Sequence, residues 1–202
     1  MTATEQRVGE QRPGGRAERV RTAVLEATSE LLTEVGYDRL TIDEVAARAG
    51  VHKTTVYRRW PTKPELIAEA VRVHSDENVP IPDTGTVLGD LQALASEVVA
   101  NIGSDGGTRR SRSIAAAAAT SDELATGLHE FWVHRLAAAA PIIERAIARG
   151  ELPPDSDANL IIETLVGPIW LRVLLTGEPI DDDLAERVAL LVATGAAHQQ
   201  PT

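Results

Sequence analysis

The 202-residue chain contains no cysteine. Disulfides and thiolate metal sites are therefore excluded, and a reducing compartment is allowed. Aromatic residues are scarce, at three Trp, two Tyr and one Phe. After residue 60 only Phe131, Trp132 and Trp170 remain. No uninterrupted apolar run reaches the roughly 18 residues of a membrane span, so no membrane partner is expected. The opening MTATEQRVGEQRPGG lacks the apolar core of a secretory signal. Together these absences lead to the expectation of a soluble, cytoplasmic protein.

Motifs of catalysis are missing too. There is no P-loop, dinucleotide glycine pattern, nucleophile elbow or HExxH, so no catalytic residue and no cofactor is expected. His129 and His134 are five apart, about 140° around a helix, and do not share a face as a metal pair would. Glu130 and His134 can meet, but two ligands make a poor metal site. Asp181, Asp182 and Asp183 read better as acids at a helix N-terminus than as a cation site. No metal is expected.

The net charge is −10, which at first argues against a nucleic-acid partner. The charge is unevenly spread. Residues 1–75 hold 12 basic and 11 acidic side chains, whereas residues 76–202 hold 8 and 19. Within 50–63 stand Lys53, Arg58, Arg59 and Lys63 and no acid. Local charge, not the total, decides where DNA docks.

That basic stretch lies in TIDEVAARAGVHKTTVYRRWPTK, residues 41–63. Thr41 with Glu44 is a capping-box pair. Ile42, Val45, Ala46 and Ala49 lie at helical spacing, which predicts a helix over 42–49. Gly50 supplies a turn that needs φ > 0. A second helix is predicted over 52–59. Val51 and Val56 face inward, while His52, Lys53, Thr54, Thr55, Tyr57, Arg58 and Arg59 can face outward. The outer face is rich in donors for phosphates and base edges. Trp60-Pro61 ends it. Thr62 and Glu65 open another helix, with Pro64 in its first turn, and Lys63 at that N-terminus adds to a phosphate site.

This stretch resembles the helix-turn-helix of TetR/AcrR-type transcriptional regulators. The resemblance rests on Thr41, Ile42, Ala46, Gly50, Val51, Lys53, Thr54, Tyr57, Trp60 and Lys63. Two places depart from the family pattern: His52 stands where Ser or Thr is common, and Trp60 where Phe is common. Trp60 keeps an aromatic plug. Thr41, Lys53, Tyr57 and Lys63 are expected on phosphates. His52, Thr54, Thr55 and Arg58 are expected on base edges or in mixed contacts.

The remaining periodicity predicts an all-α chain of about nine helices. Residues 1–15 read either as a solvated tail or as an arm adding DNA contacts. A helix over 17–35, ended by Gly36, braces the helix-turn-helix within a DNA-binding domain at 16–76. Val79-Pro-Ile-Pro-Asp-Thr-Gly is a linker. A second domain is expected at 84–197. Its helices are predicted over 86–102, 109–120, from Ser121 to 149 with a kink or break at Pro141, over 157–176 with a bend at Pro168, and over 182–194. The glycine-rich stretch 103–107 reads as a loop. Arg109, Arg110 and Arg112 then sit near a helix start, unfavourably for the helix dipole. A solvated face, pairing with an acid of the domain and an anionic effector all stay open for them.

The stretches ARGELPPDSD and GPIWLRVLLTGEP resemble the regulatory half of many such proteins. Phe131, Trp132 and Trp170 beside Ala-rich segments either fill space or line an effector pocket, with His129, His134 and Arg172 as its polar candidates. The helix over 157–176 is apolar nearly all round, so it must be covered on several sides. Leu165, Ile169, Leu184, Val188 and Leu191 are the candidates for a two-fold four-helix interface between two copies. The family resemblance implies a homodimeric repressor that occludes double-stranded operator DNA and is released by an unknown small-molecule effector. An activator, a regulator without a ligand, and a helical enzyme or interaction module remain as alternatives.

Overall fold

The computed structural model describes residues 15–198. But for Gly15, the arm expected at 1–15 lies outside them. Among the described residues the regular structure is helical throughout: α1 (Arg16–Arg39), α2 (Ile42–Arg48), α3 (Lys53–Arg59), α4 (Lys63–Asn78), α5 (Val87–Ile102), α6 (Asp105–Ala118), α7 (Asp122–Ala148), α8 (Ala158–Leu171) and α9 (Asp182–Ala197). A π-helical turn, Arg172–Thr176, extends α8. It closes where the Gly177 N–H, at φ 71°, donates to Arg172 O at 3.0 Å.

Short polar side chains start most of these helices. Thr41, Thr62, Thr86, Ser104, Ser121, Asp157 and Asp181 each accept a backbone N–H of the first turn. Each such cap stabilises its helix by about 1 kcal/mol. Only Thr41 completes the reciprocal box, with Thr41 N donating to Glu44 Oε2 at 3.0 Å. At Thr62 the hydroxyl turns instead to Glu123, the second residue of α7.

Two expectations about helix course are corrected. α6 begins at Asp105, not near 109, because the glycines read as a loop form its first turn. A Cβ on Gly106 would stand 2.4 Å from Thr33 Cγ2, and one on Gly107 2.5 Å from Asn101 O. Glycine is there because α1 and α5 crowd the turn, not because the chain is irregular. α7 runs on through Pro141 as one helix. A further expectation concerns length. The 19 residues Ala158–Thr176 hold an 18-residue window with a mean hydropathy of 1.5, enough by length and composition to cross a membrane. The sequence reading missed this by counting only uninterrupted runs, which Glu163 and Arg172 break. One face of the stretch packs into the core through Ile161, Ile162, Leu165, Ile169 and Val173.

Two apolar clusters form. One joins α5, α7, α8 and α9. The other joins α1 to α4, and it also buries Ile114 of α6 and Leu124 of α7. Each such buried side chain contributes about 1.5–3 kcal/mol. The first helices are therefore sealed by residues of the second half, and the two halves share a boundary layer.

α1 turns sharply at Gly36, whose φ of 77° and ψ of 175° lie in a region essentially reserved for glycine. Ser113 of α6 packs on this turn, its Oγ accepting from Tyr37 N at 3.1 Å. A Cβ on Gly36 would lie 3.2 Å from Ser113 Cβ. At the other end of the domain Trp60 is buried, and its indole N–H donates to Glu69 Oε2 at 2.6 Å. Arg21 Nε donates to the other carboxylate oxygen at 2.7 Å. Burial pushes the Glu69 carboxyl up, but the bonds from Trp60 and Arg21 outweigh it and hold it below its usual range.

Replacing Gly36 by Ala should cost about 1–3 kcal/mol, seen as a lower urea midpoint at unchanged slope. Trp60→Phe should behave differently. It keeps a ring but leaves Glu69 to Arg21 alone. Because the folded pKa of Glu69 is depressed, its stabilisation is present above the unfolded carboxylate pKa and is lost as pH falls through the folded value. The gap in urea midpoint between wild type and Trp60→Phe should be widest near neutral pH and close in acid. A gap constant with pH would assign the whole effect to packing.

Candidate nucleic-acid interface and internal cavity

α2 and α3 meet across Gly50, at φ 67°. Val51 N donates to Ala46 O at 3.0 Å to close the turn. α3 buries Val56 and then Trp60, so its opposite side faces solvent. Arg48 at the end of α2 forks onto Glu34 of α1, with Nη1 and Nη2 both 2.8 Å from the carboxylate oxygens. The helix pair is thus fastened to α1 on one side and, through Trp60 and Glu69, to α4 on the other.

The eight residues singled out for DNA lie at the N-cap of α2, at the N-cap and along α3, and at the start of α4. Thr41 is exposed, and its hydroxyl is engaged with Glu44. His52 is the N-cap of α3, exposed and making no capping bond. Lys53 is exposed and 3.4 Å from Asp43. Asp43 lies just outside the acid-free stretch, so α2 supplies a carboxylate that the linear reading did not place there. Such an exposed pair is worth little, about 0–1 kcal/mol, and a phosphate can displace it. Thr54 and Arg58 are exposed, Thr55 is half-buried, and Tyr57 is 46% exposed. Lys63 opens α4, half-buried, with its ammonium 4.2 Å from the Tyr37 ring centroid. Burial lowers the Lys63 pKa, against the pull of Asp38 and Glu44. Arg59 stacks over Trp60 at 5.4 Å. The roles of Tyr37 and Arg59 had no linear signal.

A cavity of about 290 Å³ lies among α4, α5, α6, α7 and α8. Phe131, Trp132 and Trp170 line it, Trp132 and Trp170 meeting edge to face with centroids 5.4 Å apart. The other three pocket candidates do not. His129 is exposed on α7. His134 turns outward to Asp76, 3.0 Å away. Arg172 donates to Pro179 O in the loop beyond. The two histidines fail because the inward face of α7 passes through Leu128, Phe131, Trp132, Arg135 and Leu136. The cavity's polar lining includes Ser75, Ser111 and Arg135, and a hydrogen-bonded group drawn from three helices: His74 of α4, Asn101 of α5 and Arg110 of α6. His74 Nε2 lies 2.8 Å from Asn101 Oδ1, and Arg110 Nη2 donates to Asn101 Oδ1 at 3.1 Å and to Asn101 O at 3.2 Å. Burial, with the Arg110 charge beside it, holds His74 below its usual pKa.

Of the three arginines of α6, Arg109 and Arg112 are exposed and Arg110 is half-buried, and none pairs with an acid among the described residues. Each serves backbone carbonyls of another helix end. Arg109 donates to Thr33 O and Glu34 O before the Gly36 turn, Arg110 to Asn101 O near the end of α5, and Arg112 to Val173 O after α8. Cations at helix C-termini are favourable.

Of the five interface candidates, Leu191 alone is exposed. Leu165, Ile169, Leu184 and Val188 are buried in the chain's own core. Their stripes mark the faces that α8 and α9 turn toward each other and toward α5. The exposed leucines of α8, the π-helical turn and α9 are Leu160, Leu171, Leu174, Leu175, Leu190 and Leu191, with Leu175 at 78% and Leu191 at 74%. Among the described residues no three His, Cys, Asp or Glu side chains gather to hold a metal.

Residues 24–70 match the family model for bacterial regulatory proteins of the tetR family, and residues 81–192 match that for the tetracyclin repressor-like C-terminal domain. The HTH-type transcriptional regulator AqdR of Rhodococcus erythropolis is 37% identical over 185 residues, 92% of this chain and 89% of that protein. The DNA-binding transcriptional repressor TetR of Mycobacteroides abscessus is 32% identical over 182 residues, 86% of this chain and 91% of that one. The crystal structure of the TetR-family transcription regulator SCO0332 superposes with a TM-score of 0.77 at 32% identity, covering 88% of this chain and 98% of that one. The chain thus belongs to the TetR family, and it is a non-enzymatic, DNA-binding transcriptional regulator.

Proposed function

We propose that the protein is a cytoplasmic, homodimeric repressor whose grip on a palindromic operator is loosened by a small molecule in the cavity. The observation that carries this reading is the course of α4. Its first residue, Lys63, follows α3 and is one of the residues assigned here to phosphate contact, while Val71, His74 and Ser75 of the same helix line the cavity. From Lys63 to His74 the helix rises about 16 Å. A ligand that shifts the cavity end of α4 must move the end beside α3. Release is then a population shift: a ligand that favours wider-spaced recognition helices weakens operator binding by its differential affinity for the two states. The relative named a DNA-binding transcriptional repressor supports the sign of the regulation.

Thr41, Lys53, Tyr57 and Lys63 would position the protein on phosphates. His52, Thr54, Thr55 and Arg58 would reach base edges from α3 in the major groove. One α3 reads only a half-site, so two copies must be held one helical turn, or a multiple of it, apart. The exposed leucines of α8 and α9 form the patch that a second copy would cover. The domain division at 16–76 and 84–197 belongs to the same reading.

Fluorescence anisotropy on DNA upstream of the chain's own gene should show a specific complex that weakens steeply with salt. No specific complex at low salt would sink the reading. The pair Tyr57→Ala with Lys63→Ala should weaken all sequences alike and reduce the salt slope by about 0.9 for each lost phosphate contact. A changed base preference with the slope intact would reverse those assignments. Leu175→Asp with Leu191→Asp should give a folded monomer in sedimentation velocity and lose operator binding. A dimer that survives both changes would place the interface elsewhere.

A further inference from the structure

The lining of the cavity restricts what can enter it. It is mostly apolar, with a rigid aromatic corner where Trp132 meets Phe131 at 5.2 Å and Trp170 at 5.4 Å. No Asp or Glu lines it, yet two arginines do. Arg135 is already spoken for, with Nη1 3.3 Å from Asp76 and Nη2 donating to Val79 O at 2.8 Å. Arg110 is different. Among the described residues no carboxylate pairs with it, and its hydrogen bonds run from Nη2 alone, to the two oxygens of Asn101. A guanidinium carries five N–H donors and no acceptor. Its pKa is lowered, burial being the cause, as expected of a cation removed from water without a partner.

His74 sharpens the selection. Asn101 Oδ1 can only accept, so His74 Nε2 donates to it, and His74 Nδ1 is left to accept from Asn78 Nδ2 at 3.4 Å. Both Arg110 and His74 therefore converge as donors on one amide oxygen. An incoming acid group can take over those donors, replacing a neutral acceptor by a charged one. A charge-assisted bond is roughly twice as strong as a neutral one. A ligand cation would meet the Arg110 charge with no acid on the wall to hold it.

We propose that the cavity takes a hydrophobic monoanion, a single carboxylate or comparable acidic head on a compact aromatic or alkyl body, with the head at Arg110 and the body against Trp132 and Trp170. This rests on the reading of the cavity as the effector site. The volume of about 290 Å³ has room for a body such as a fused bicycle or a medium-length chain. The head's position matters for regulation. Displacing Asn101 frees His74 on α4, and Arg109, next to Arg110 on α6, holds the end of α1 through Thr33 O and Glu34 O.

The test uses the full-length protein and isothermal titration calorimetry. The probes are 2-naphthoate and decanoate, each beside its methyl ester and the primary amine of the same body. At least one acid should bind about tenfold or more tightly than its ester, and neither amine should bind. Arg110→Gln should abolish the preference for acid over ester, and Arg110→Lys should retain part of it. A role for Arg110 confined to capping α5 would leave acid and ester equal in the wild type. That equality overturns the proposal, as does a preference surviving in Arg110→Gln, tighter binding of an amine, or no binding of either acid. The ligand series in the wild type decides the matter even if the variants fold poorly. Addition of the tighter acid to the operator complex separates the two readings. Acid-selective binding that leaves the complex intact keeps the ligand class and rejects release as its consequence.

Discussion

A helix of seven residues has no independent stability in water, since the cost of its first turn is recovered only over many more. The reading helix α3 is such a helix, with the single buried residue Val56. Its place is therefore set from outside, and the determining contact is Trp60. The ring is buried beyond the helix's last turn, and its N–H must find a partner. The partner is Glu69, a carboxylate that would itself resist burial were it not also held by Arg21. The sequence indole, carboxylate, guanidinium thus ties α3 to α4 and α4 to α1. Each of the three satisfies a polar group of its neighbour. Together they fix the exposed face of α3 relative to the domain that carries it.

α6 plays the corresponding part between the two halves. It closes the first core with Ile114, packs Ser113 on the Gly36 turn, and places its arginines at the carbonyl ends of α1, α5 and the turn after α8. Arg109 is exposed, so its bonds are worth little in stability. Their importance is geometric: neighbouring residues of one helix touch the base of the DNA-binding unit and the wall of the cavity. With Leu124 of α7 also in the first core, α1 and α4 cannot shift as a rigid unit without repacking this boundary. A close-packed boundary has a few discrete arrangements, not a continuum, which suits a two-state regulator.

The helix-turn-helix was legible in the chain because its determinants are local. A capping box, a glycine at positive φ, a buried Val inside each helix and an aromatic stop lie within 23 residues. The cap at Thr62 was legible for the same reason. The start of α6 was not, because Gly106 and Gly107 answer to crowding by α1 and α5, and a glycine forced by a neighbour looks in sequence like a glycine in a loop. The leucine stripes of α8 and α9 misled in another way. Periodicity tells which face is buried but not what buries it, and Leu165, Ile169, Leu184 and Val188 are consumed within the chain. The aromatics of the cavity could be picked out by their rarity. Its polar wall could not, since His74, Asn101 and Arg110 come from three helices and share no spacing.

The charge balance joins the two sites. Residues 76–202 carry 8 basic and 19 acidic side chains, and their field repels polyanions. Screening confines that field to about 8 Å at physiological ionic strength, so it repels DNA from the second half without reaching far past the edge where α3 lies. On the proposed reading a duplex is approached productively with α3 leading, and the acidic half then orients the encounter instead of opposing it. The cavity follows the same rule at closer range. Its surroundings are acidic, but its wall holds Arg110 and no carboxylate. In a desolvated site the nearest charge outweighs the distant sum, because water no longer screens it. At both places the total of −10 describes how the molecule behaves from afar and says little about what it binds.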